Sequence, residues 1–186
     1  MGNALLDMTF FADKVFVEAN DLKLNGACVV DTDRFKTLLD NLEGRFQVSG
    51  CVPGGGSQNA ARTMQWLLPN PAGCVTYFGA TCVDKWGTTL KEKAAHSGIN
   101  GVYEVVDDPT GCCLVIVSGD HNENRSLVAF PGGAGKMSCD HLKQNWAFVE
   151  KARIFYTEVS LTFLHVYFFI SHYFRVSSFQ LASKLA

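Results

Sequence analysis

The chain has 186 residues, of which 47% are hydrophobic and 18% are charged, so it is long and apolar enough to bury a core. Its 16 Lys and Arg residues against 18 Asp and Glu residues give a formal net charge of −2. The high apolar fraction disfavours an intrinsically disordered chain. No dense basic run of the kind that binds phosphate backbones is present, so a nucleic-acid partner is also disfavoured.

In chain order, the first predicted helix begins after a cap at Asp31 or Thr32, and Leu38, Leu39, Leu42 and Phe46 recur with helical spacing. It is expected to end near Gly44. A second helix is predicted over residues 57–68, where Pro69 would stop it. Its shared apolar face contains Ala60, Ala61, Met64, Leu67 and Leu68.

A strand at 73–78 and a helix at 84–97, capped by Asp84 and stopped at Gly98, follow the second helix. Two apolar runs at 112–117 and 126–130 predict further strands, and some of these runs suit strands that are covered on both faces. A helix over about 140–151, with Leu142, Trp146 and Val149 inward, precedes a last strand at 153–156. The alternation predicts an α/β domain in which helices cover a sheet.

The composition changes near residue 157. Residues 159–174 are apolar and aromatic, but they contain His165 and His172 and are fewer than the roughly 20 residues of a membrane helix. A membrane helix is therefore not favoured. A buried helix or strand and a tail that is not native to the protein remain as alternatives.

Seven cysteines, odd in number and without a Cys-x-x-Cys pair, indicate reduced and mostly buried thiols. The five histidines lack the spacing of a zinc site, so no metal site is predicted. No basic segment followed by an apolar run begins the sequence, which predicts a cytoplasmic protein and leaves a nuclear location open.

The sequence Gly-Gly-Gly-Ser-Gln-Asn at 54–59 opens the second predicted helix. Bare backbone and free helix N–H groups suit a ligand loop there, although a flexible turn is an equal alternative. The segment lacks the glycine spacing of a dinucleotide loop and the Lys-Ser/Thr ending of a P-loop. Asn59 also argues against Ser57 as the nucleophile of an elbow turn.

Five segments occur together in one order: GNALLD at 2–7, GGGSQN at 54–59, GATCVDKWG at 79–87, PTGCC at 109–113 and NRSLVA at 124–129. In this order and near this spacing they resemble the N-terminal half of the adenosine kinases, a branch of the ribokinase-like sugar and nucleoside kinases. The resemblance extends over about residues 2–157. It implies a Rossmann-type layered sheet with helices on both faces and a small β lid, incomplete because the C-terminal half is missing. Residues 158–186 would then form a divergent apolar tail.

The resemblance also implies a nucleoside site. Asn3 and Asp7 would hydrogen-bond the ribose, with the Asp7 carboxylate accepting from the vicinal hydroxyls. Gly54, Gly55 and Asn59 would line the other side of the sugar. Apolar contacts would come from Leu5, Cys113, Leu127 and Ala129, and Arg125 would approach the transferred phosphate.

The reaction implied by the family is ATP-dependent phosphorylation of the adenosine 5′-hydroxyl to AMP in purine salvage, with Mg²⁺. The family's catalytic base lies in a Gly-Ala-Gly-Asp motif of the C-terminal half, whereas Gly-Ala-Gly at 133–135 is followed here by Lys136. Ala27 and residues 129–135 also depart from the family pattern. We therefore expect an adenosine kinase-like chain with little or no activity. The alternative is a non-catalytic module that binds adenosine or pairs with a full-length kinase.

Overall fold

The structure is a computed structural model that describes residues 1–68 and 73–158. Strands and helices alternate along this part of the chain. The strands are β1 (Leu5–Phe11), β2 (Ala27–Val29), β3 (Val48–Gly54), β4 (Thr76–Thr81), β5 (Asn100–Val105), β6 (Cys112–Ser118) and β7 (Asn124–Phe130). The helices are α1 (Lys14–Ala19), α2 (Thr32–Glu43), α3 (Gly56–Leu67), α4 (Lys85–His96), α5 (Cys139–Gln144) and α6 (Trp146–Lys151).

The larger sheet has five strands in the order β2-β7-β6-β1-β3. Strand β1 pairs in parallel with β6 and antiparallel with β3, while β7 runs antiparallel to β6 and parallel to β2. Strands β4 and β5 form a separate parallel pair. Mixed pairing with helices between the strands confirms the α/β expectation.

Strand β1 has one buried face and one half-buried face. Leu6, Met8 and Phe10 alternate into the core, whereas Leu5 and Asp7 lie on the opposite face. The core beneath contains helix α2, whose Phe35 ring stacks on Phe130 with ring centroids 4.9 Å apart. Strand β1, which lies between β6 and β3, therefore carries Asp7 on its face away from the core.

Three of the predicted helices form close to their predicted bounds. The Asp31 carboxylate accepts a hydrogen bond from the Arg34 N–H at the start of α2, and Gly44 caps its end. The Asp84 carboxylate caps α4, which ends before Gly98 at a φ of +78°. Strands β6 and β7 confirm the strands predicted at 112–117 and 126–130.

The inward face assigned to α3 is wrong. Met64 is 43% and Leu67 64% exposed, whereas the buried residues of this helix are Ser57, Gln58 and Gln65. These buried polar side chains hydrogen-bond the backbone and tyrosine hydroxyls of neighbouring elements. Pro69 lies outside the described residues.

Three further expectations are corrected. The helix predicted at 140–151 is divided into α5 and α6, because the Asn145 side-chain amide donates to the His141 carbonyl and ends α5. The strand predicted at 73–78 begins only at Thr76. Residues 153–156 form no strand, and Ile154 is 77% exposed.

The cysteines are less buried than expected. Cys112 and Cys113 are buried, Cys28 and Cys74 are exposed, and none of the seven, all of which lie in the described residues, forms a disulfide. In the described part of the chain no helix is long and apolar enough to cross a bilayer. The predicted apolar tail from 159 onward lies outside the described residues.

Candidate functional site

A cavity of about 420 Å³ opens on the face of the five-stranded sheet that lies away from the core. Strands β1, β2, β6 and β7 and the start of α3 contribute its walls. It is lined by Leu5, Asp7, Ala27, Cys28, Val29, Gly55, Gly56, Asn59, Cys113, Arg125, Leu127 and Ala129. Eight residues of the predicted nucleoside site belong to this set. The structure thus brings together residues that are more than a hundred positions apart in the sequence.

Asp7 is the acidic residue of the cavity wall. It is flanked by Val52 on β3 and Cys113 on β6. The Asp7 carboxylate lies directly against the Cα of Gly54, and a Cβ added there would overlap it. Gly54 itself does not line the cavity, so its contribution is to leave room for the acid.

The pKa of Asp7 is raised above that of an ordinary aspartate. Burial raises the pKa of this carboxyl to about 6, while the positive charges of Arg125 and Arg62 oppose the rise. Among the described residues no side chain donates a hydrogen bond to the carboxylate. Its oxygens are therefore available to accept hydrogen bonds from hydroxyl groups of a ligand.

The glycine-rich turn has a conformation that requires glycine. Gly55 has a φ of +87°, and a Cβ on it would overlap the backbone carbonyl of Asn3. Below the turn, the Gln58 side-chain amide donates to the Gly54 carbonyl at 2.9 Å and accepts from the Tyr103 hydroxyl at 2.8 Å. Through Gln58 the turn is thus connected to β5.

The start of α3 is occupied by an acid from a distant part of the chain. The Ser57 N–H donates to the Glu158 carboxylate at 2.9 Å, where a side chain on Gly56 would collide. The Ser57 hydroxyl lies 3.3 Å from that of Tyr77, which donates to the Gly2 carbonyl. The helix N-terminus is thus neutralised from within the chain.

Asn59 and Arg62 lie one turn apart on α3. The Arg62 guanidinium Nη1 donates to the Pro53 carbonyl at 2.8 Å and to the Asn59 side-chain oxygen at 3.3 Å. The Asn59 amide is therefore held from the helix side. Arg62 was not among the predicted site residues.

Asn3 does not line the cavity. Its side-chain oxygen is buried and lacks a hydrogen-bond partner among the described residues, and its backbone carbonyl faces Gly55. The structure therefore places Asn3 beneath the glycine turn. Its predicted hydrogen bond to a sugar stays a prediction.

Apart from Asp7, Asn59 and Arg125, the side chains that line the cavity are apolar. Cys113 pairs with Ala129 and Leu127 pairs with Ala27 across the strands that flank β7. Burial, with Asp7 nearby, raises the pKa of the Cys113 thiol to about 12, so this side chain is an uncharged, apolar neighbour of the acid. The cavity therefore joins one acid with a surface that suits an uncharged ring.

Arg125 lies at the exposed rim of the cavity. Its backbone N–H donates to the Asn25 side-chain oxygen at 2.9 Å, which ties β7 to the turn before β2. Asn25 has a φ of +57°, a conformation that asparagine tolerates better than most residues. The guanidinium is close enough to Asp7 to affect its ionisation.

Sequence reasoning missed Cys28, Val29 and Gly56 as lining residues. Cys28 and Val29 belong to β2, which has three exposed residues and pairs with β7 alone in the described sheet. A strand this short has no readable periodicity. Ala27, which departs from the family pattern in the sequence, also lines the cavity.

No group of three or more His, Cys, Asp or Glu side chains in the described residues could hold a metal ion. Lys136, at the end of the Gly-Ala-Gly sequence, pairs at 2.6 Å with Asp108 outside the cavity.

Comparison of the sequence with known proteins identifies related proteins over most of the chain. Residues 21–186 match the pfkB family of carbohydrate kinases. The chain is 38% identical over 159 residues to adenosine kinase 2 of Arabidopsis thaliana, covering 84% of this chain and 44% of that protein. The chain thus spans about half the length of the curated relatives it matches.

Solved structures show the same likeness. Adenosine kinase of Anopheles gambiae, in complex with P1,P4-di(adenosine-5) tetraphosphate, superimposes with a TM-score of 0.74 at 31% identity, covering 90% of this chain and 48% of that one. Adenosine kinase of Schistosoma mansoni, in complex with adenosine, gives a TM-score of 0.70 at 25% identity over 82% of this chain and 43% of that one. With its ribokinase-like mixed α/β fold, the chain belongs to the pfkB family of carbohydrate kinases and is homologous to adenosine kinases.

Proposed function

We propose that this chain is the nucleoside-binding part of an adenosine kinase-like protein and that its cavity binds adenosine. The reaction of the whole protein is transfer of the ATP γ-phosphoryl group to the adenosine 5′-hydroxyl, which yields AMP for purine salvage in the cytoplasm. By itself the chain binds the nucleoside and has little or no kinase activity.

One observation carries the proposal. An ionisable acid, Asp7, lines a cavity whose other lining residues are mostly apolar, and eight residues of the expected nucleoside site line that cavity. A carboxylate can accept both hydroxyls of a vicinal diol, and an apolar wall suits a purine. The volume of about 420 Å³ is in the range of small-molecule sites.

The expected lack of activity rests on the catalytic base, which the family carries in a Gly-Ala-Gly-Asp motif of its C-terminal half. Residues 133–136 imitate this motif, but they lie too early in the sequence and end in Lys136. Lys136 is ion-paired with Asp108 and supplies no carboxylate. A general base contributes roughly 10²–10⁴-fold in rate, so its loss alone would leave little turnover.

Calorimetric titration of the full 186-residue chain with adenosine and with 2′,3′-dideoxyadenosine tests the proposal. Adenosine is expected to bind, and the analogue without the vicinal diol to bind at least about tenfold more weakly, because Asp7 loses both donors. Equal affinity for the two nucleosides, or no heat with adenosine, would contradict the proposal. AMP formation from adenosine and ATP-Mg²⁺, absent from an Asp7→Ala control, would contradict the expected inactivity.

A further inference from the structure

Arg62 touches the site without lining the cavity. Its Nη1 donates both to the Pro53 carbonyl at the end of β3 and to the side-chain oxygen of Asn59, a cavity residue. It therefore connects the strand that ends in the glycine turn with the helix that follows that turn.

The contact fixes which end of the Asn59 amide faces Arg62. A guanidinium has only donors, so the atom that it contacts must be the amide oxygen. The NH₂ group of Asn59 is then the polar end left for a ligand. Because the Asp7 carboxylate only accepts, the two cavity-lining side chains offer complementary hydrogen-bonding groups to a ligand.

Arg62 does not satisfy all of its own hydrogen-bonding groups. Its Nε is buried and has no hydrogen-bond partner among the described residues. A buried donor without a partner costs about 1–3 kcal/mol of stability, so the fold alone would not favour this arrangement. A role of Arg62 in holding the cavity residue Asn59 accounts for the arrangement better than a contribution to stability does.

We propose that Arg62 is a positioning residue, which acts through Asn59 and Asp7 to set the cavity for a sugar hydroxyl that both donates and accepts. The inference rests on the proposed function, since it names how the same cavity recognises the nucleoside sugar. Arg62 orients the Asn59 NH₂ group as donor and supplies positive charge that favours ionised Asp7.

The charge effect has several contributors. Arg62 approaches Asp7 from α3 and Arg125 from β7, while the Cys113 thiol on β6 stays uncharged. Both arginines lower the pKa of Asp7 against the effect of burial. Removal of one arginine should therefore raise the pH midpoint of adenosine binding, and binding should still depend on pH.

The test uses Arg62→Met, which keeps the aliphatic stem, and Arg62→Lys, which keeps the charge but not the two-acceptor contact. Calorimetry with adenosine should show binding about five- to tenfold weaker for Arg62→Met, the size of one ordinary hydrogen bond. The midpoint of the pH dependence should rise in Arg62→Met and stay near its original value in Arg62→Lys.

Two controls separate positioning from general damage. Arg34→Met removes an arginine on α2 that also donates to a backbone carbonyl, that of Asn20, but lies away from the cavity. It should leave adenosine affinity unchanged. In an Asn59→Ala background above the pH midpoint, Arg62→Met should cost little further affinity, because coupled residues are not additive.

The outcomes distinguish this inference from the proposed function. If wild-type chain binds adenosine in an Asp7-dependent manner but Arg62→Met keeps both affinity and pH midpoint, the inference on Arg62 is wrong. Additive losses from Asn59→Ala and Arg62→Met would also overturn it. Absence of adenosine binding by the wild-type chain would instead overturn the proposed function, and the inference with it.

Discussion

The Asp7 carboxylate occupies the space that a side chain on Gly54 would fill. The two residues are diagonal neighbours on the antiparallel pair of β1 and β3, in which Gly54 pairs with Leu5 and Asp7 pairs with Val52. The carboxylate can take this position in the cavity wall only because β3 ends in a residue without a side chain. Sheet pairing and the position of the ligand-binding group are therefore linked at this point.

Gly54→Ala is expected to weaken adenosine binding about tenfold or more, the effect of losing a hydrogen bond to a charged group. The obstacle is the end of a side chain, so the carboxylate should turn away while the fold stays intact. Titration calorimetry and a thermal melt measure the two effects. Gly50→Ala is the matched control on the same strand, because a Cβ there meets nothing within 4 Å. Equal affinity of the two variants would contradict this account of Gly54.

Adenosine affinity is expected to rise as the pH is raised through about 6, the pKa to which burial raises Asp7. Only the ionised acid accepts both hydroxyls, so affinity should fall by about tenfold per pH unit well below that value. Stability should respond in the opposite direction. A raised carboxyl pKa contributes stability that is complete below the ordinary aspartate pKa of 3.8 and is lost as the pH rises through about 6.

This pH dependence is measured by titrations in buffers between about pH 5 and 8. Asp7→Asn should bind weakly at every pH and show no midpoint. A midpoint that persists in Asp7→Asn would assign the titration to another group.

Cys28 is expected to report occupancy of the cavity. It is exposed and lines the cavity, whereas Cys74 is exposed and lies elsewhere. Saturating adenosine should therefore slow alkylation of Cys28 by iodoacetamide several-fold and leave that of Cys74 unchanged, as followed by peptide mass spectrometry. Cys112 and Cys113 should react slowly throughout, because burial raises the pKa of both thiols. Protection of Cys74 to the same extent would point to a general change in the protein.

Asp84 is expected to matter more for stability than an ordinary helix cap. Its two carboxylate oxygens accept from the Gly87 N–H at 2.6 Å and from the Thr110 N–H at 2.9 Å, which joins α4 to the loop before β6. Asp84→Ala should lower the free energy of unfolding by about 2 kcal/mol, the sum of a cap and one further hydrogen bond.

Chemical denaturation of Asp84→Ala beside Asp31→Ala measures the difference. Asp31 caps α2 through the Arg34 N–H alone and should cost about 1 kcal/mol. A smaller loss for Asp84→Ala than for Asp31→Ala would show that the Thr110 contact adds nothing.

Local signals predicted the elements that carry strong local information. Asp31 and Asp84 precede amphipathic segments and cap their helices, and the continuous apolar run of β6 forms a buried strand. Edge strand β3 escaped prediction because it contains Gly50 and Pro53 and is mostly exposed. Strand β1 carried a readable alternation of Leu6, Met8 and Phe10, which the neighbouring Leu5 and Phe11 obscured.

The candidate site likewise contains residues that the sequence predicted and residues that it did not. The resemblance supplied Asp7, the glycine turn and the apolar wall, which lie together in the structure. Arg62 and Cys28 escaped because their place in the site depends on tertiary contacts: one reaches back to the Pro53 carbonyl, and the other sits on a strand held by β7. Tertiary contacts of this kind leave no periodic pattern in the sequence from which they could be predicted.

Calorimetric titration of the full chain with adenosine, repeated on Asp7→Asn and on Asp33→Asn, tests the central claim most directly. Asp33 is an exposed acid in the first turn of α2 and does not line the cavity. The account predicts that adenosine binds to wild type and to Asp33→Asn alike and at least about tenfold more weakly to Asp7→Asn, which can no longer accept both hydroxyls as an anion. Equal binding by all three proteins, or binding by none, would contradict it.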